Sequence, residues 1–491
     1  MSQPAESPQP PNILLIMTDQ QRGDCLGVEG HPVLQTPYLD HLAGSGARFR
    51  CAYTTCPSCV PARRSLMSGQ HPHNTGMVGY RDGVEWEDPP PLLPQVLRDH
   101  GYQTASIGRN MHLSPPRKRY GFEFKTHIGA RSEYTDWLQR HGPPEQFDYH
   151  GTGPTHNDWP ARPWPLDEHL HPTNWTVTEA LKWLKFRDPT APFFLTVQFL
   201  APHPPLVPPA FYMERYLRTG VDEPVIGDWA TPPASERGGD PAPAKIKLTG
   251  EALQSTRAAY YGLINHVDDQ IRRLLRPFLG VGGDKDPGLE NTVILFASDH
   301  GEMLGDHYGW RKSVPYEPSA RIPMLIKAPS DYGIEPGTVI DEPVCLEDIF
   351  PTCLDLAGIP APGSIDGRSL LPLLRGERPA WREHLHIEHA PQHQSVTDGR
   401  EKFIWWVADG REQFFDLTRD PRECHDLIDD AAAGSRIAHW RKMLIDELAD
   451  RPEGFSDGQR LIPGVTYAPT LEHVRHSPWG GGRSKVATVS S

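Results

Sequence analysis

Polar side chains that can bind ions or move protons follow four short apolar runs of the sequence. In open α/β sheets, ligands bind beyond the carboxyl ends of the strands, so residues that follow different strands can meet at one edge. A single polar residue after a strand is often only a turn or a helix cap, but four such ends together predict a site. These residues are Asp19 and Gln20 after 12–18, Arg109 and His112 after 104–108, His203 after 193–200, and Asp299 and His300 after 292–298.

The residues that follow two of these apolar runs predict a metal site. Asp19, Gln20, Asp299 and His300 offer mainly oxygen ligands together with one imidazole. Such a set suits a hard divalent cation such as Ca²⁺, Mg²⁺ or Mn²⁺. The alternative interpretation of Asp299-His300-Gly301 is a simple turn.

A candidate nucleophile lies in residues 56–70, CPSCVPARRSLMSGQ. Pro61 is suited to the start of a helix, and the amide groups at the N-terminus of that helix would form an anion site. Cys59 would then lie at the mouth of this site, with Arg63 one turn inside the helix. The alternative is a buried structural cysteine, which is the usual fate of a free Cys.

The elements that must position these residues alternate along the chain. Continuous apolar runs, which are typical of parallel strands buried on both faces, lie at 12–18, 104–108, 193–200, 292–298 and 323–328. Helical patterns lie between them, at 91–101, 173–187 and 257–275. The alternation predicts an α/β fold with a large, mainly parallel sheet flanked by helices.

The pattern changes after about residue 364. HLHIEH, KFIWWVADG and REQFFDLTRD are typical of short antiparallel strands, and a helical pattern covers 433–450. We therefore expect a smaller C-terminal α+β subdomain. The predicted organisation is a flexible N-terminal tail (1–11), a catalytic domain (12–375), the subdomain (376–476) and a C-terminal tail (477–491).

Long insertions rich in Pro and Gly, at 143–172 and 221–244, are expected to form the walls of a cleft. Arg131, Trp159 and Trp164 are candidates for its leaving-group side. In contrast, Trp405 and Trp406 are expected to form a packing pair. Asp306 and His307, in the loop after Asp299, are candidates for substrate contact.

Composition excludes several classes of partner. The chain has 49 Lys and Arg against 63 Asp and Glu, a formal charge of −14, which argues against nucleic acid. No apolar run approaches the ~18 residues of a transmembrane helix, and the first residues lack the basic region of a signal peptide. We therefore expect a cytoplasmic protein with no membrane partner.

The seven cysteines, an odd number, argue against a disulfide framework. The tail after Ser477 is a candidate arm for contact within a homo-oligomer.

Several motifs, in one order along the chain, resemble those of the sulfatases. Cys59-Val60-Pro61-Ala62-Arg63, followed by Leu66 and Ser68-Gly69, resembles the C-x-P-x-R…L-[TS]-G signature of that family. The other similar segments are Met17–Gln20, Gly108–His112, Ser298–His307, Lys312 and Phe414–Pro421. The resemblance runs from about residue 11 to 430 and implies the alkaline-phosphatase-like α/β fold.

The resemblance also implies roles for individual residues. Cys59 is oxidised to formylglycine by a formylglycine-generating enzyme, and the hydrated aldehyde is the nucleophile. One divalent metal is bound, with Ca²⁺ favoured over Mn²⁺ or Mg²⁺. Its implied ligands are Asp19, Gln20, residue 59, Asp299 and His300. The implied catalytic residues are Cys59, Arg63, Arg109, His112, His203 and Lys312.

The implied reaction is hydrolysis of a small anionic sulfate ester. The metal, Arg63, Arg109 and Lys312 offset the charge of the anion. His203 is expected to protonate the leaving alcohol, and His112 is the candidate base that releases the covalent ester and regenerates the aldehyde.

The motifs depart from the common sulfatase pattern at the metal. Gln20 replaces a frequent Asp and His300 a frequent Asn, and Gly-Arg-x-x-His replaces Gly-Lys-x-His. Asp-Gln with Asp-His is similar to the phosphonate monoester hydrolase and choline sulfatase branches of the superfamily. A phosphonate monoester or phosphodiester hydrolase is therefore the first alternative. A metal-binding scaffold without activity and a hydrolase that uses the unmodified Cys59 thiol are the others.

Overall fold

A computed structural model describes residues 10–129, 131–143, 152–233, 242–279 and 286–478. Its strands are β1 (Asn12–Asp19), β2 (Ala47–Phe49), β3 (Ala52–Tyr53), β4 (Val84–Trp86), β5 (Gln103–Arg109), β6 (Phe124–Ile128), β7 (Phe193–Pro202), β8 (Thr292–Ser298), β9 (Met324–Lys327), β10 (Thr338–Ile340), β11 (Val344–Cys345), β12 (Leu385–His389), β13 (His393–Thr397), β14 (Glu401–Trp406), β15 (Glu412–Asp416) and β16 (His476–Pro478). Its α-helices are α1 (Pro37–Gly44), α2 (Cys59–Ser68), α3 (Pro72–Thr75), α4 (Leu93–Asp99), α5 (Glu133–His141), α6 (Pro172–Phe186), α7 (Ala210–Thr219), α8 (Gly250–Leu279), α9 (Glu317–Ala320), α10 (Ile349–Leu356), α11 (Leu371–Leu374) and α12 (Gly434–Glu447).

The large sheet has the strand order β10-β2-β9-β8-β1-β7-β5-β6. From β8 to β6 all neighbouring strands are parallel, which confirms the predicted mainly parallel sheet. β9 is an exception, because it pairs antiparallel with both β8 and β2. The prediction that residues 323–328 form another parallel strand was therefore wrong in direction. A continuous apolar run shows that a strand is buried but contains no information about its direction.

The central strand β1 shows why this segment folds as it does. All eight of its residues are buried. Side chains alternate between the two faces of a strand, so Leu14 and Ile16 enter one apolar core while Ile13 and Leu15 enter the other. Helices α6 and α8 pack in the first core, and α2, α4 and α10 in the second.

The predicted helices are present with shifted ends. α4, α6 and α8 correspond to the three patterns predicted between the strands, and Gly101 follows α4 with a positive φ of 89°. α2 begins at Cys59 rather than at Pro61. The shift places Cys59 in the first turn of the helix instead of before it.

The C-terminal part forms a separate antiparallel sheet, β12-β13-β14-β15, packed against α12. Phe403 and Phe414 of the sheet contact Ile437 and Trp440 of the helix in one core. The expected α+β character is confirmed. Strand β13 was not predicted, because its sequence HQSVT has neither an apolar run nor clear alternation, although all five residues are buried.

The two predicted tails lie mostly outside the described residues, namely 1–9 and 479–491. Ser477 and Pro478, which were expected to belong to the C-terminal tail, instead pair with β4 as the end of β16. In the part of the chain that the structure covers, no helix has the length and apolar composition needed to cross a membrane.

Candidate active site

The carboxyl ends of the parallel strands bring the predicted residues together. Asp19 and Arg109 are the last residues of β1 and β5, His203 follows β7, and Asp299 and His300 follow β8. The N-terminus of α2, which begins with Cys59, faces the same edge. Four segments and a helix end therefore form one site.

Asp19, Cys59, Asp299 and His300 form a buried cluster. Each offers a ligand atom, and these atoms lie within 4.8 Å of one another. Sγ of Cys59 lies 3.0 Å from Nε2 of His300 and 3.7 Å from Oδ1 of Asp19. The side chains are almost inaccessible, since even Cys59 is only 2% exposed.

A hydrogen bond from Nδ1 fixes the orientation of the His300 ring. Nδ1 lies 2.9 Å from the carbonyl oxygen of Gly301 and donates its proton there. The lone pair of Nε2 is then directed at Cys59 and the cluster. Burial lowers the pKa of His300, so the ring is a neutral ligand with a fixed tautomer, as metal-binding histidines usually are.

The Asp299 carboxylate is held on both oxygens. Oδ1 accepts hydrogen bonds from the backbone N–H groups of Gln20 and His300, each at 3.0 Å. Oδ2 accepts one from Nε of Arg63 at 2.8 Å. These contacts leave little freedom for the carboxylate to turn away from the cluster.

Asp19 is kept ionised by its neighbours. Its Oδ2 accepts hydrogen bonds from Nε of Arg109 at 3.2 Å and Nη2 of Arg63 at 3.3 Å. Burial by itself would raise the pKa of this carboxyl, but the positive charges of Arg63 and Arg109 hold it well below its usual range. The acid is therefore available as an anionic ligand.

Arg63 is fully buried and joins the two acids. Its Nη1 also donates to Oε1 of Gln198, at 2.7 Å, and to the carbonyl oxygen of Asn110, at 3.1 Å. Gln198 was not predicted as a site residue. Its only signal in the sequence is a polar side chain within the apolar run of β7.

Gln20 contacts two further site residues. Its amide oxygen accepts a hydrogen bond from Nζ of Lys312 at 2.5 Å, and its amide nitrogen donates to Glu302. Its φ is 72°, a left-handed conformation that is costly for a residue with a side chain. Glu302 was also missed by the sequence analysis, although it lies two residues after His300. The role of Gln20 as a metal ligand remains a prediction.

His203 is locked between two partners. Nδ1 lies 2.6 Å from the carbonyl oxygen of Pro204 and donates to it, while Nε2 accepts from Nζ of Lys312 at 3.1 Å. Burial and the positive Lys312 lower the pKa of His203 well below its usual value. In the free site, Nε2 of His203 is therefore an acceptor that faces Nζ of Lys312.

His112 has an enclosed Nε2 with no hydrogen-bond partner among the described residues. Its φ of 50° is again left-handed. Burial, with Arg109 and Arg63, lowers the pKa of His112 well below its usual value. The ring is therefore neutral, and the same surroundings make it a weak base in the free site.

The Cys59 thiol itself is a poor nucleophile. Burial, reinforced by the nearby Asp19, raises the pKa of Cys59 to about 12. A thiolate is the reactive form of cysteine, so without a bound cation this side chain stays protonated.

A cavity of about 1320 Å³ opens over Cys59. Its aromatic wall contains Trp229, Trp310, Tyr316 and Trp406. We call this cavity the active-site cleft. Only Trp405 of the expected packing pair is buried in the core, because neighbouring residues of a strand face opposite sides.

The three residues expected on the leaving-group side of the cleft do not line it. Trp164 is buried in a core with Tyr134, and Trp159 packs against another core. Arg131 is exposed elsewhere. Of the two loop candidates, His307 lines the cleft, whereas Asp306 is buried in ion pairs with arginines 22 and 257.

Comparison with known proteins gives a consistent result. The family model described as Sulfatase matches residues 11–359, and a model described as N-sulphoglucosamine sulphohydrolase, C-terminal, matches 305–450. An arylsulfatase of Clostridium perfringens is 41% identical over 489 residues, covering 95% of this chain and 100% of the relative. A choline-sulfatase of Rhizobium meliloti is 31% identical over 469 residues, covering 89% and 88%.

Among solved structures, the chain is similar to a phosphonate monoester hydrolase of Agrobacterium radiobacter. The TM-score is 0.77 at 26% identity, over 89% of this chain and 95% of that one.

Proposed function

The chain belongs to the sulfatase family of sulfuric ester hydrolases, and we propose that Cys59, converted to formylglycine, supplies the nucleophile with which it hydrolyses sulfate esters. The family and the activity predicted from the motifs are confirmed by these matches. The observation that carries the proposal for Cys59 is its place in the buried cluster, 3.0 Å from Nε2 of His300. A cysteine that serves only packing would have apolar neighbours instead.

A divalent cation fits the chemistry of the cluster. Asp19 and Asp299 are anionic oxygen donors, and the Nε2 lone pair of His300 is directed at the same space. We propose Ca²⁺ as the resident ion, held by these three side chains with residue 59 and Gln20. A buried cage of protein ligands suits Ca²⁺ better than Mg²⁺, which tends to keep several waters. When bound, the cation supplies Lewis-acid stabilisation of the negative charge on the reacting oxygens.

The cations of the chain bind and orient the ester. Lys312 and Arg109 both line the cleft and lie beside the cluster, so they can donate hydrogen bonds to sulfate oxygens. Arg63 is fully buried and holds the two carboxylates apart in fixed positions. Donors fixed in advance stabilise developing charge without reorganising.

His203 and Lys312 act together on the leaving oxygen. Because Nδ1 of His203 is committed to Pro204, only Nε2 can deliver a proton to the substrate. Nε2 carries no proton while it accepts a hydrogen bond from Nζ of Lys312, so the proton moves from Nζ to Nε2 and then from Nε2 to the leaving oxygen, which leaves Lys312 as a neutral amine. We assign His203 as the acid on this geometry, with Lys312 as its proton source.

His112 is assigned as the base that accepts a proton while residue 59 releases the sulfate. Its unpartnered Nε2 and its place on the cleft wall support this role. The converting enzyme must act before the site has folded, because Cys59 is only 2% exposed afterwards. A formylglycine-generating enzyme is therefore proposed as a partner during maturation.

The test combines mass spectrometry with turnover. The protein is expressed with and without a formylglycine-generating enzyme, and the peptide that contains residue 59 is analysed for conversion. We expect the rate on a nitrophenyl sulfate to rise with the converted fraction and Cys59→Ala to have none. Equal activity of converted and unconverted protein would refute the assignment of Cys59.

The second candidate is hydrolysis of phosphonate monoesters. Gln20 and His300, which replace acidic or amide residues common at these positions, favour it, as does the structural similarity reported above. A nitrophenyl phosphonate monoester is therefore assayed beside the sulfate. A faster phosphonate reaction would make this the principal activity of the chain.

Two further predictions from the sequence remain proposals. A cytoplasmic location is tested by cell fractionation. A homo-oligomer that uses the tail after Ser477 is tested by light scattering of a deletion that starts there, and an unchanged mass would refute the arm.

A further inference from the structure

The active-site cleft carries more positive charge than one sulfate ester requires. Of the described residues that line it, Asp82 alone is an acid, whereas the chain as a whole has a formal charge of −14. A sulfate monoester carries a single negative charge. The cationic side chains that line the cleft are Arg109, Lys245, Arg311, Lys312 and Arg411.

Only part of this charge is committed to the reacting group. Arg109 is paired with Asp19, and Lys312 contacts Gln20 and His203. Within the ranges that the structure describes, Arg311 and Arg411 form no ion pair with a carboxylate. Two guanidinium groups in the cleft therefore remain available for a second anion.

Arg411 is held in a defined place on the C-terminal sheet. It lies in the turn between β14 and β15, with its guanidinium 4.6 Å from the centre of the Trp406 ring. That ring is fixed in turn, because its Nε1 donates to Oε1 of Gln413 at 3.0 Å. A guanidinium stacked on an aromatic ring keeps its edge free to bind a planar or tetrahedral anion with two hydrogen bonds.

His389 supplies an independent sign of a missing ligand. It lies at the end of β12 and lines the cleft. The residue is only 6% exposed, yet neither ring nitrogen has a hydrogen-bond partner among the described residues. Buried polar atoms are rarely left unpaired. The turn that follows it, 390–392, lies at the same end of the sheet as the turn of Arg411.

The aromatic side chains beside Arg411 suit a ring. Trp229 stacks on Tyr316 with their centres 4.6 Å apart, the Tyr316 ring lies 6.4 Å from that of Trp406, and all three line the cleft. Flat aromatic faces bind aryl groups and the apolar faces of sugar rings.

We propose that the preferred substrates are sulfate esters whose leaving group is a ring with a second anionic group, a carboxylate or another sulfate, bound by Arg411 with Arg311 and His389. This inference rests on the proposed function, since it concerns the leaving-group side of the same site. It makes the C-terminal sheet the part of the chain that selects the substrate.

The test uses a matched pair of substrates, a nitrophenyl sulfate with a ring carboxylate and the methyl ester of the same compound. For the wild-type enzyme we expect kcat/KM to be at least ~10-fold higher for the carboxylate, mainly through KM, because only the carboxylate can accept charge-assisted hydrogen bonds from the guanidinium. Arg411→Gln should reduce this preference to about 2-fold or less. The control is Arg400→Gln, an exposed arginine at the other end of the same sheet, which should keep the preference.

Salt provides a second readout. The preference should shrink as ionic strength rises from about 0.05 to 0.5 M, since a partly exposed charge pair is screened. The inference is overturned if the wild type shows no preference for the carboxylate, or if Arg411→Gln leaves that preference intact. Neither result would contradict the hydrolysis of sulfate esters.

Binding is measured separately, so that the inference does not depend on turnover. Calorimetry compares the carboxylated nitrophenol with its methyl ester on wild type and Arg411→Gln. The subsite is supported if the wild type binds the carboxylate more tightly than the methyl ester and Arg411→Gln abolishes this difference. This result would support the subsite even if the reaction assigned to Cys59 fails. Equal binding of the two phenols refutes the subsite.

Discussion

His203→Ala tests whether the chain protonates the leaving oxygen. In the structure, the imidazole can give a proton only from Nε2, which faces Nζ of Lys312 at 3.1 Å. Removing the ring leaves Lys312 without its partner and the leaving oxygen without a donor at the right place. Neither change removes a ligand atom of the buried cluster.

The magnitude depends on the leaving group. General acid catalysis contributes about 10²–10⁴-fold, or roughly 3–5 kcal/mol at 1.36 kcal/mol per factor of ten. Phenol itself, with a pKa near 10 like that of tyrosine, needs this proton. A nitrophenol is more acidic and leaves as an anion, so it needs the proton far less. We expect a loss of about 10³-fold for phenyl sulfate but only about 10-fold for nitrophenyl sulfate.

The assay is kcat/KM over a series of aryl sulfates of graded phenol acidity. The plot of log kcat/KM against phenol pKa should become steeper in His203→Ala. Lys312→Met should steepen it as well, because Lys312 supplies the proton. His439→Ala, an exposed histidine on α12, serves as the control and should leave the plot unchanged. Formylglycine and metal content are measured for every variant.

A uniform loss over the whole series would refute the reasoning. It would mean that His203 positions the sulfate or the loop rather than donating a proton. Loss of formylglycine or of metal in His203→Ala would point to the same conclusion, because the ring would then be needed for the cluster.

Three further predictions concern stability. Lys402 is fully buried between Glu317 and Glu423, and its Nζ lies 2.8 Å from a carboxylate oxygen of each. Lys402→Met should therefore lower the free energy of unfolding, measured in urea, by about 3–5 kcal/mol. The double variant Lys402→Met/Glu423→Gln should recover part of this loss, and no recovery would contradict the charge explanation. A hydrogen bond from His384 lowers the pKa of Glu447 to about 2, so its stabilising contribution is complete above the ordinary glutamate pKa of about 4.3 and is lost as the pH falls towards 2. Urea unfolding at graded pH should show a flatter acid limb for Glu447→Gln, and an identical limb would refute this. Chelation should lower Tm by several degrees, because a bound ion stabilises only the folded state; recovery with Mg²⁺ or Mn²⁺ but not Ca²⁺ would exclude the proposed metal.

The catalytic side of the site could be predicted because chain order and geometry coincide there. Asp19, Arg109, His203 and Asp299 each lie at or just after the carboxyl end of a buried parallel strand, and parallel strands end at one edge. Residues that support them gave weaker signals. Gln198 lies within an apolar strand and contacts Arg63 from the side. A sequence pattern shows that such a residue is polar, but it does not show where the strand places it.

The leaving-group side could not be predicted for a different reason. It is assembled from segments far apart in sequence, such as Trp229 in a Pro-rich insertion and Trp406 in the C-terminal sheet. Strand β13, which pairs with both β12 and β14 in that sheet, has no recognisable pattern. Trp159 and Trp164, chosen from an insertion, and Arg131, which precedes it, do not line the cleft, because a local excess of Pro and Trp does not show which side chains are buried in the core.

The difference between the catalytic side and the leaving-group side has a physical cause. The same cause bears on how the substrate specificity of such enzymes can change. The reacting group is a small anion, so its binding requires a fixed geometry of charges, which the strand ends and α2 provide through contacts shared among several residues. Arg63 alone joins two acids, a backbone carbonyl and Gln198, and a change there disturbs every partner. Arg411 stacks on Trp406, and Trp406 contacts Gln413, His393 and Tyr316, none of which belongs to the buried cluster. A substitution in that turn can alter which ring is accepted while the charges around Cys59 stay in place, and the ratio of carboxylate to methyl-ester turnover in Arg411→Gln measures how far the two sides are independent.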